Sequence, residues 1–326
     1  MTGSPRGRSP AHPTAPEWGH GRVADGDVPP ATVCAVVVTH NRRALLDECL
    51  TALTAQTRLP EWILVVDNAS TDGTAEMVRA EHPEVEFLAL PENIGGAGGF
   101  HEGLRTAHER GAEWAWLMDD DTIPTPDALQ ALLHGAYVAP VSPAPLVLSS
   151  KVAWTDGRLH PMNEVKLRAD REAIVRSCEL GLLPLRQATF VSLLVNRRAV
   201  DRFGLPLKHY FIWSDDLEYT GRILRDASVG YLVPDSVVIH KTKEPYTAVT
   251  EAGGRFYFHV RNLLYMVRGS AWTPLEKLTL LWTLSSTTQT YLRRNRFRRD
   301  SVFVVLRGLR DGLKPVPAPG PSARGR

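Results

Sequence analysis

Asp119, Asp120 and Asp121 stand side by side at the end of the apolar stretch 114–118. Three like charges repel one another. A solvated turn that caps a following helix explains one aspartate well and three poorly. A divalent cation offsets the repulsion, because hard ions such as Mg²⁺ and Mn²⁺ take carboxylate oxygens. A second acidic pair, Asp215 and Asp216, follows the aromatic segment 210–213 and opens the stretch "DDLEYTGRILRD". Adjacent carboxylates on a helix point in different directions. One can then hold a hydroxyl while the other accepts its proton, or both can simply complement the helix dipole. His240, after "VPDSVVI", is a lone histidine, and by itself such a residue reads as partly buried structure.

These groups need elements that bring them together. "VCAVVVT" (Val33–Thr39) reads as a strand buried on both faces. Residues 43–56 carry Leu46, Cys49, Leu50 and Leu53 at three- and four-residue spacing, which predicts an amphipathic helix. Strands are expected at 62–66, 85–90 and 114–118, with helices over 75–81 and 96–110. That alternation predicts a doubly wound, mostly parallel α/β sheet with helices on both faces. In such sheets ligands bind beyond the carboxyl ends of the strands. Thr39, Asp67 and Asp119–Asp121 all fall at those ends, which a set of solvated turns does not predict. The second half is less regular. Strands are expected at 188–195 and 229–233, and helices over 215–226 and 253–268.

Composition bounds the class. The 326 residues suffice for one large α/β domain with extensions, and 43% apolar content supports a sizeable core. A net charge of +2 gives no global field toward nucleic acid. Three cysteines without a CxxC spacing fit a reducing cytoplasm. Residues 1–31 are rich in Pro and Gly and are expected to be a disordered tail, as are the Pro-rich residues 314–326. No secretory h-region stands at the start, and no apolar run of membrane-spanning length occurs.

The segments "VVVTHNR" (36–42), "VVDNASTDGT" (65–74), "ENIGGAGGFHEGL" (92–104), "WLMDDD" (116–121), "FIWSDDLEYTGRI" (211–223), "VVIHK" (237–241) and "FYFHVRN" (256–262) resemble, in this order, the family-2 inverting glycosyltransferases of the GT-A fold. The resemblance covers about residues 33–268 and implies a GT-A glycosyltransferase domain over 32–268. "NIGGAGGF" and the aromatic-x-D-D-x-E-Y-x-x-R segment look most like bacterial galactofuranosyltransferases, with rhamnosyltransferases close behind. Gly96 stands where the usual glycine segment carries an aromatic residue.

The resemblance implies a sugar transfer from a nucleotide-diphosphate donor, UDP-galactofuranose first and dTDP-rhamnose next, to a cell-surface glycan or lipid-linked acceptor. It assigns Asp119, Asp121 and His240 to a Mn²⁺ or Mg²⁺ ion, and Asp216 to the general base. Thr39, Asp67, Asn93, Gly96, Asp119 and Arg261 would hold the donor, and Trp213, Asp215 and Glu218 the acceptor. Asn262, beside Arg261, would help hold the diphosphate or brace the site. The structural alternatives stand beside these roles: Asp67 as a turn cap, the glycines as a flexible loop, Asp215 as a helix cap, Arg261 as a surface arginine. A nucleotidyltransferase and a non-catalytic nucleotide-sugar-binding protein are the competing functions. The first would show a glycine-rich basic loop after the first strand, where "HNRRALL" has no glycine.

Residues 269–313 read as a helical, basic extension. Thr273, Pro274 and Glu276 make a capping box before a helix over 275–292. "RRNRFRRD" then sets five arginines around Phe297. The segment either packs on the catalytic domain or docks on an anionic membrane surface; no recognised nucleic-acid module is present. The expected location is the cytoplasm, with peripheral attachment to the inner face of the plasma membrane as an extension of that reading.

Overall fold

The structure, a computed structural model, describes residues 31–139, 145–225, 229–242, 249 and 253–316. The tails expected at 1–31 and 314–326 lie almost wholly outside the described residues.

Strands β1 (Val33–Thr39), β2 (Trp62–Asp67), β3 (Glu86–Ala89) and β4 (Trp114–Asp119) alternate with helices α1 (Arg43–Thr54), α2 (Thr74–Glu81) and α3 (Gly95–Glu109). They form a parallel sheet in the order β3-β2-β1-β4. The alternation within β1 shows why. Val33, Ala35 and Val37 face a core built with α1, α2 and part of β4, while Cys34, Val36 and Val38 face a second core built with α3. A strand buried on both faces has no polar side to spare, which accounts for its unbroken apolar run.

The chain continues through β5 (Thr122–Pro124), α4 (Ala128–Val138), β6 (Val147–Ala153), β7 (Lys166–Leu167), α5 (Arg171–Cys178), β8 (Leu183–Gln187), β9 (Leu193–Asn196), α6 (Arg197–Phe203), α7 (Asp215–Ile223) and β10 (Gly230–His240). β9 extends the parallel sheet antiparallel to β4, and β6 and β10 follow as a parallel pair. β5 pairs antiparallel with β10, with Thr122 opposite His240. This short pairing joins the triple aspartate to the histidine.

Two strand expectations are corrected. Residues 188–195 are not one strand: β8 ends at Gln187, β9 starts at Leu193, and Ser192 between them has a φ of 60° that a strand does not tolerate. The strand expected at 229–233 runs on to His240 as β10, with a register shift between Val233 and Val237. Pro234 lies in that irregularity, where its missing N–H breaks no ladder bond.

Helices α8 (Phe256–Arg268), α9 (Pro274–Arg294) and α10 (Arg299–Gly312) form a third layer around Phe256, Val260, Trp272, Tyr291 and Val305. The capping box at Thr273 is present, and Glu276 also holds Arg186 at 2.9 Å, tying the start of α9 to the sheet. Among the described residues no helix is long and apolar enough to cross a membrane.

Candidate active site

The carboxyl ends of β1, β2 and β4 are in register, Thr39 beside Asp67 and Val38 beside Asp119. They open on a cavity of about 430 Å³. Thr39, Asn93, Gly96, Asp119, Asp121, Trp213, Asp215, Asp216 and His240, all singled out from the sequence, line it.

The chain leaves β4 at Asp119, turns, and returns along β10 as β5. Asp119, Asp121 and His240 each offer a ligand atom within 4.8 Å of the others. The histidine is oriented from behind: its Nδ1 donates to Asn163 Oδ1 at 2.8 Å, and Asn163 Nδ2 donates to Thr189 Oγ1 at 3.1 Å. That arrangement leaves the Nε2 lone pair facing the acids. Nε2 lies 3.0 Å from Asp121 Oδ1, yet that buried oxygen has no partner in hydrogen-bond geometry. Two ligand-type atoms held this close fit neighbouring positions around one cation. Two carboxylates and one imidazole are donors suited to a hard or borderline divalent ion.

Charge is packed tightly here. Burial, and then the charge of Asp121, push Asp119 up to about 7. Burial pushes Asp120 up to about 6 in spite of Arg42. Asp121 stays below the usual carboxylate range, because His240 and Arg42 outweigh its burial. The same acids lift His240 above the ordinary histidine value against its burial. A metal ion here therefore competes with a proton.

Asp120 also lines the cavity, with other partners. It accepts from Thr39 Oγ1 at 2.8 Å and from Arg42 Nη1 at 3.1 Å, while the same Arg42 nitrogen donates to Asp121 Oδ2 at 2.6 Å. The expected main-chain role of Thr39 is thus joined by a side-chain role, fixing the middle aspartate. Arg42 was not singled out from the sequence. Its position three residues beyond the end of β1 was the available signal.

Helix α7, which carries the second acid pair, begins directly after a strained turn. Phe211, Trp213 and Ser214 have φ values of 66°, 65° and 67°. Asn262, wholly buried, donates its amide to the carbonyls of Tyr210, Ile212 and Trp213 at 3.1, 2.8 and 2.8 Å. Gly95 seals the turn from the other side: its φ is +77°, and a Cβ there would lie 2.0 Å from the carbonyl oxygen of Phe211. Asp216 accepts from the Leu217 N–H at 2.7 Å. The N-cap position is Ser214, so Asp215 is inside the helix rather than its cap. Burial, and then the charge of Asp216, push Asp215 well above the carboxylate range, and burial pushes Asp216 up to about 6.

Three expected site residues do not reach the cavity. Asp67 is buried and accepts from the Ser70 N–H at 3.1 and 3.2 Å, the turn-cap alternative; its neighbour Asn68 lines the cavity instead. Glu218 is committed to Arg222 at 2.9 Å. Arg261 is neither exposed nor open to a ligand: it donates to the carbonyls of His209 and Tyr210 at 2.9 and 2.7 Å, beneath the strained turn. The glycine segment is helix rather than loop. Gly99 and Gly103 let α3 press on Val38 and Val36, and only Gly95 and Gly96 line the cavity. Asn163, Asn262 and the stacked pair Phe211–Phe258 (5.0 Å) complete the site. Nothing in the sequence around Asn163 marks it.

Residues 34–160 match the family described as Glycosyl transferase family 2. Galactofuranosyltransferase GlfT1 is 33% identical over 197 residues in Mycolicibacterium smegmatis, covering 59% of this chain and 65% of that protein. In Mycobacterium tuberculosis it is 31% identical over 217 residues, covering 64% of this chain and 70% of that protein. The N-acetylglucosaminyl-diphospho-decaprenol L-rhamnosyltransferase of M. tuberculosis is 23% identical over 299 residues, covering 81% of this chain and 95% of that protein. Among solved structures, S. aureus TarS 1–349 in complex with UDP-GlcNAc superposes with a TM-score of 0.57 at 16% identity, covering 88% of this chain and 82% of that one. That likeness establishes the same fold, and the M. tuberculosis GlfT1 match establishes kinship: the chain belongs to the family-2 glycosyltransferases.

Proposed function

We propose that the chain transfers a sugar, with inversion, from a nucleoside-diphosphate donor to a hydroxyl of a glycan or lipid-linked acceptor. One observation carries the reading. The metal-ligand cluster Asp119–Asp121–His240 and the acid pair Asp215–Asp216 line the same cavity. A leaving diphosphate and an attacking hydroxyl need those two kinds of group on opposite sides of the reacting carbon.

A divalent cation at Asp119, Asp121 and His240 supplies positive charge that stabilises the departing diphosphate. The imidazole ligand favours Mn²⁺ over Mg²⁺. The acceptor oxygen attacks the anomeric carbon and its proton passes to Asp216. The bond from that carbon to the diphosphate oxygen breaks, and its electron pair leaves with the nucleotide. Burial favours the protonated form of Asp215, which offers a donor to a sugar hydroxyl. Trp213 and the Phe211–Phe258 stack form an aromatic wall of the kind that packs against sugar faces. Thr39, Asn93, Gly96 and Asp119 frame the donor side, with Asp67 and Arg261 acting through the backbone they hold.

UDP-galactofuranose is the favoured donor and dTDP-rhamnose the next, following the names and identities of the relatives. The decaprenol-linked substrate in one relative's name supports a lipid-linked acceptor. The test is a panel of UDP-galactofuranose, dTDP-rhamnose, UDP-galactopyranose and UDP-glucose, with and without Mn²⁺. Released nucleotide is read by mass spectrometry. Release confined to one donor, dependent on Mn²⁺ and lost in Asp216→Asn, is the expected result. No release from any donor, with donor binding intact, would point to the non-catalytic alternative.

A further inference from the structure

Helices α9 and α10 each turn one face toward α8 and leave the other in solvent. Leu284 and Tyr291 of α9 and Val305 of α10 point inward. On the outer side of α9, Leu275, Leu278 and Trp282 recur at three- and four-residue spacing and are 74%, 63% and 70% exposed. On the outer side of α10, Arg299, Phe303, Leu306, Arg310 and Leu313 follow the same spacing, and Phe303 and Leu306 are 65% and 58% exposed. Between the helices, Arg293, Arg294, Arg296, Arg298 and Arg299 surround the exposed Phe297. None of these five arginines makes an ion pair among the described residues. A groove of about 450 Å³, lined by Leu281, Leu284, Leu292, Phe297 and Leu309, lies along α9.

We infer that this face docks on an anionic lipid surface. Large apolar side chains on two helices flank a cluster of unpaired arginines at their junction, so apolar groups can enter the acyl boundary while guanidinium groups stay among the headgroups. Charge decides against the other occupants. A second copy meeting the same face would bring two unpaired arginine clusters together, as a two-fold interface requires. Nucleic acid would satisfy the arginines but not Leu275, Leu278, Leu306 and the apolar groove. The lipid surface satisfies both sets. This inference goes beyond the transfer reaction and does not depend on it.

The experiment uses the full chain and two vesicle types, phosphatidylcholine alone and phosphatidylcholine with phosphatidylglycerol. The chain is expected to sediment with the anionic vesicles and to be released by high salt. Each basic residue near such a surface contributes about fivefold to partitioning. Replacing Arg293, Arg294, Arg296, Arg298 and Arg299 by Gln should therefore weaken binding by at least about tenfold, with an unchanged thermal midpoint. Phe303→Ser with Leu306→Ser should weaken it too, and brominated lipid should quench less fluorescence in Trp282→Phe. Vesicle binding equal in wild type and the five-Gln variant would overturn the inference. So would a concentration-dependent dimer that Phe303→Ser with Leu306→Ser dissolves, or binding to duplex nucleic acid without binding to vesicles. Donor affinity, measured separately, reports on the transfer reading alone.

Discussion

Asn262 donates its side-chain amide to the carbonyl oxygen of Trp213 at 2.8 Å, and the same nitrogen serves the carbonyls of Ile212 and Tyr210. One buried side chain thus holds a turn in which three non-glycine residues have positive φ. Such strain persists only where surrounding bonds over-determine it. The turn carries Trp213 into the cavity and sets the direction in which α7 presents Asp215 and Asp216. Asn262→Ala leaves buried carbonyls unsatisfied and should cost about 1–3 kcal/mol of stability. The turn should relax, so kcat is expected to fall by about tenfold or more while donor affinity changes little. Thermal unfolding and single-turnover rates check this; a destabilised variant with wild-type kcat would leave Asn262 as structure only.

Gly95 and Gly96 are neighbours with opposite tolerance. Gly95→Ala meets the Phe211 carbonyl at 2.0 Å in a backbone conformation that side chains avoid, so the turn or α3 must move. Overpacking of this kind typically costs about 1–3 kcal/mol. A Cβ at Gly96 meets nothing within 4 Å. Gly96→Ala is therefore expected to keep its melting temperature, and any loss should appear in donor affinity because Gly96 lines the cavity. Similar melting temperatures for the two variants would refute the close contact at Gly95.

For the cation cluster, Asp121→Ala should abolish Mn²⁺ binding followed by calorimetry on the protein without donor. Asn163→Ala removes the partner that orients His240, and loss of such a supporting bond typically weakens metal binding by about 10–100-fold. Affinity should also fall as pH is lowered. The His240 pKa is raised, so protons compete for its Nε2 at higher pH than for an ordinary histidine. Tight, pH-independent Mn²⁺ binding in Asp121→Ala would mean the ion sits elsewhere.

Much of this site was legible because it lies on elements whose pattern is local. The unbroken apolar run of β1 and the three-and-four spacing in α1 announce the parallel sheet, and its carboxyl ends locate Thr39 and Asp119. His240 was assignable only through the family resemblance. What makes it a neighbour of Asp121 is the β5–β10 pairing, a contact across more than a hundred residues through a strand of three. Asn163 and Arg42 escaped for a related reason: their roles are hydrogen bonds to groups distant in sequence. Asn262, expected with Arg261 as a diphosphate contact or a brace, bonds three carbonyls that nothing local identifies. Arg261 and Glu218 show the converse. Both carry the motif's charge, yet burial obliges each to find an internal partner, and the partners face away from the cavity.

The acid pair gives the sharpest test, because its two members are expected to respond in opposite ways. Burial lifts Asp216 to about 6 and Asp215 well above the carboxylate range. At neutral pH Asp216 is ionised and can take the acceptor's proton, so kcat/KM should fall as pH drops through about 6. Asp216→Asn cannot accept that proton, and loss of a general base typically slows turnover by about 10²–10⁴-fold. Burial and the neighbouring Asp216 favour the neutral form of Asp215, and a neutral carboxyl resembles a carboxamide in shape and hydrogen-bonding capacity. Asp215→Asn should therefore retain most of the rate. Stability supplies an independent readout. An acid whose folded-state pKa is raised favours the fold below its unfolded value, near 4, and loses that contribution as pH rises through about 6. Above pH 6 the ionised Asp216 is a burden that Asn lacks, so Asp216→Asn should melt higher than wild type at pH 7, by the equivalent of about 1–3 kcal/mol, and the gap should close toward pH 4. The measurements are single-turnover rates, donor affinity and melting temperature against pH for both variants. A variant that is inactive, normal in donor binding and more stable is the signature of a base held ionised against its surroundings. A collapsed rate in Asp215→Asn with a normal one in Asp216→Asn would exchange the two roles, and lost donor binding in both would make these acids part of the donor site.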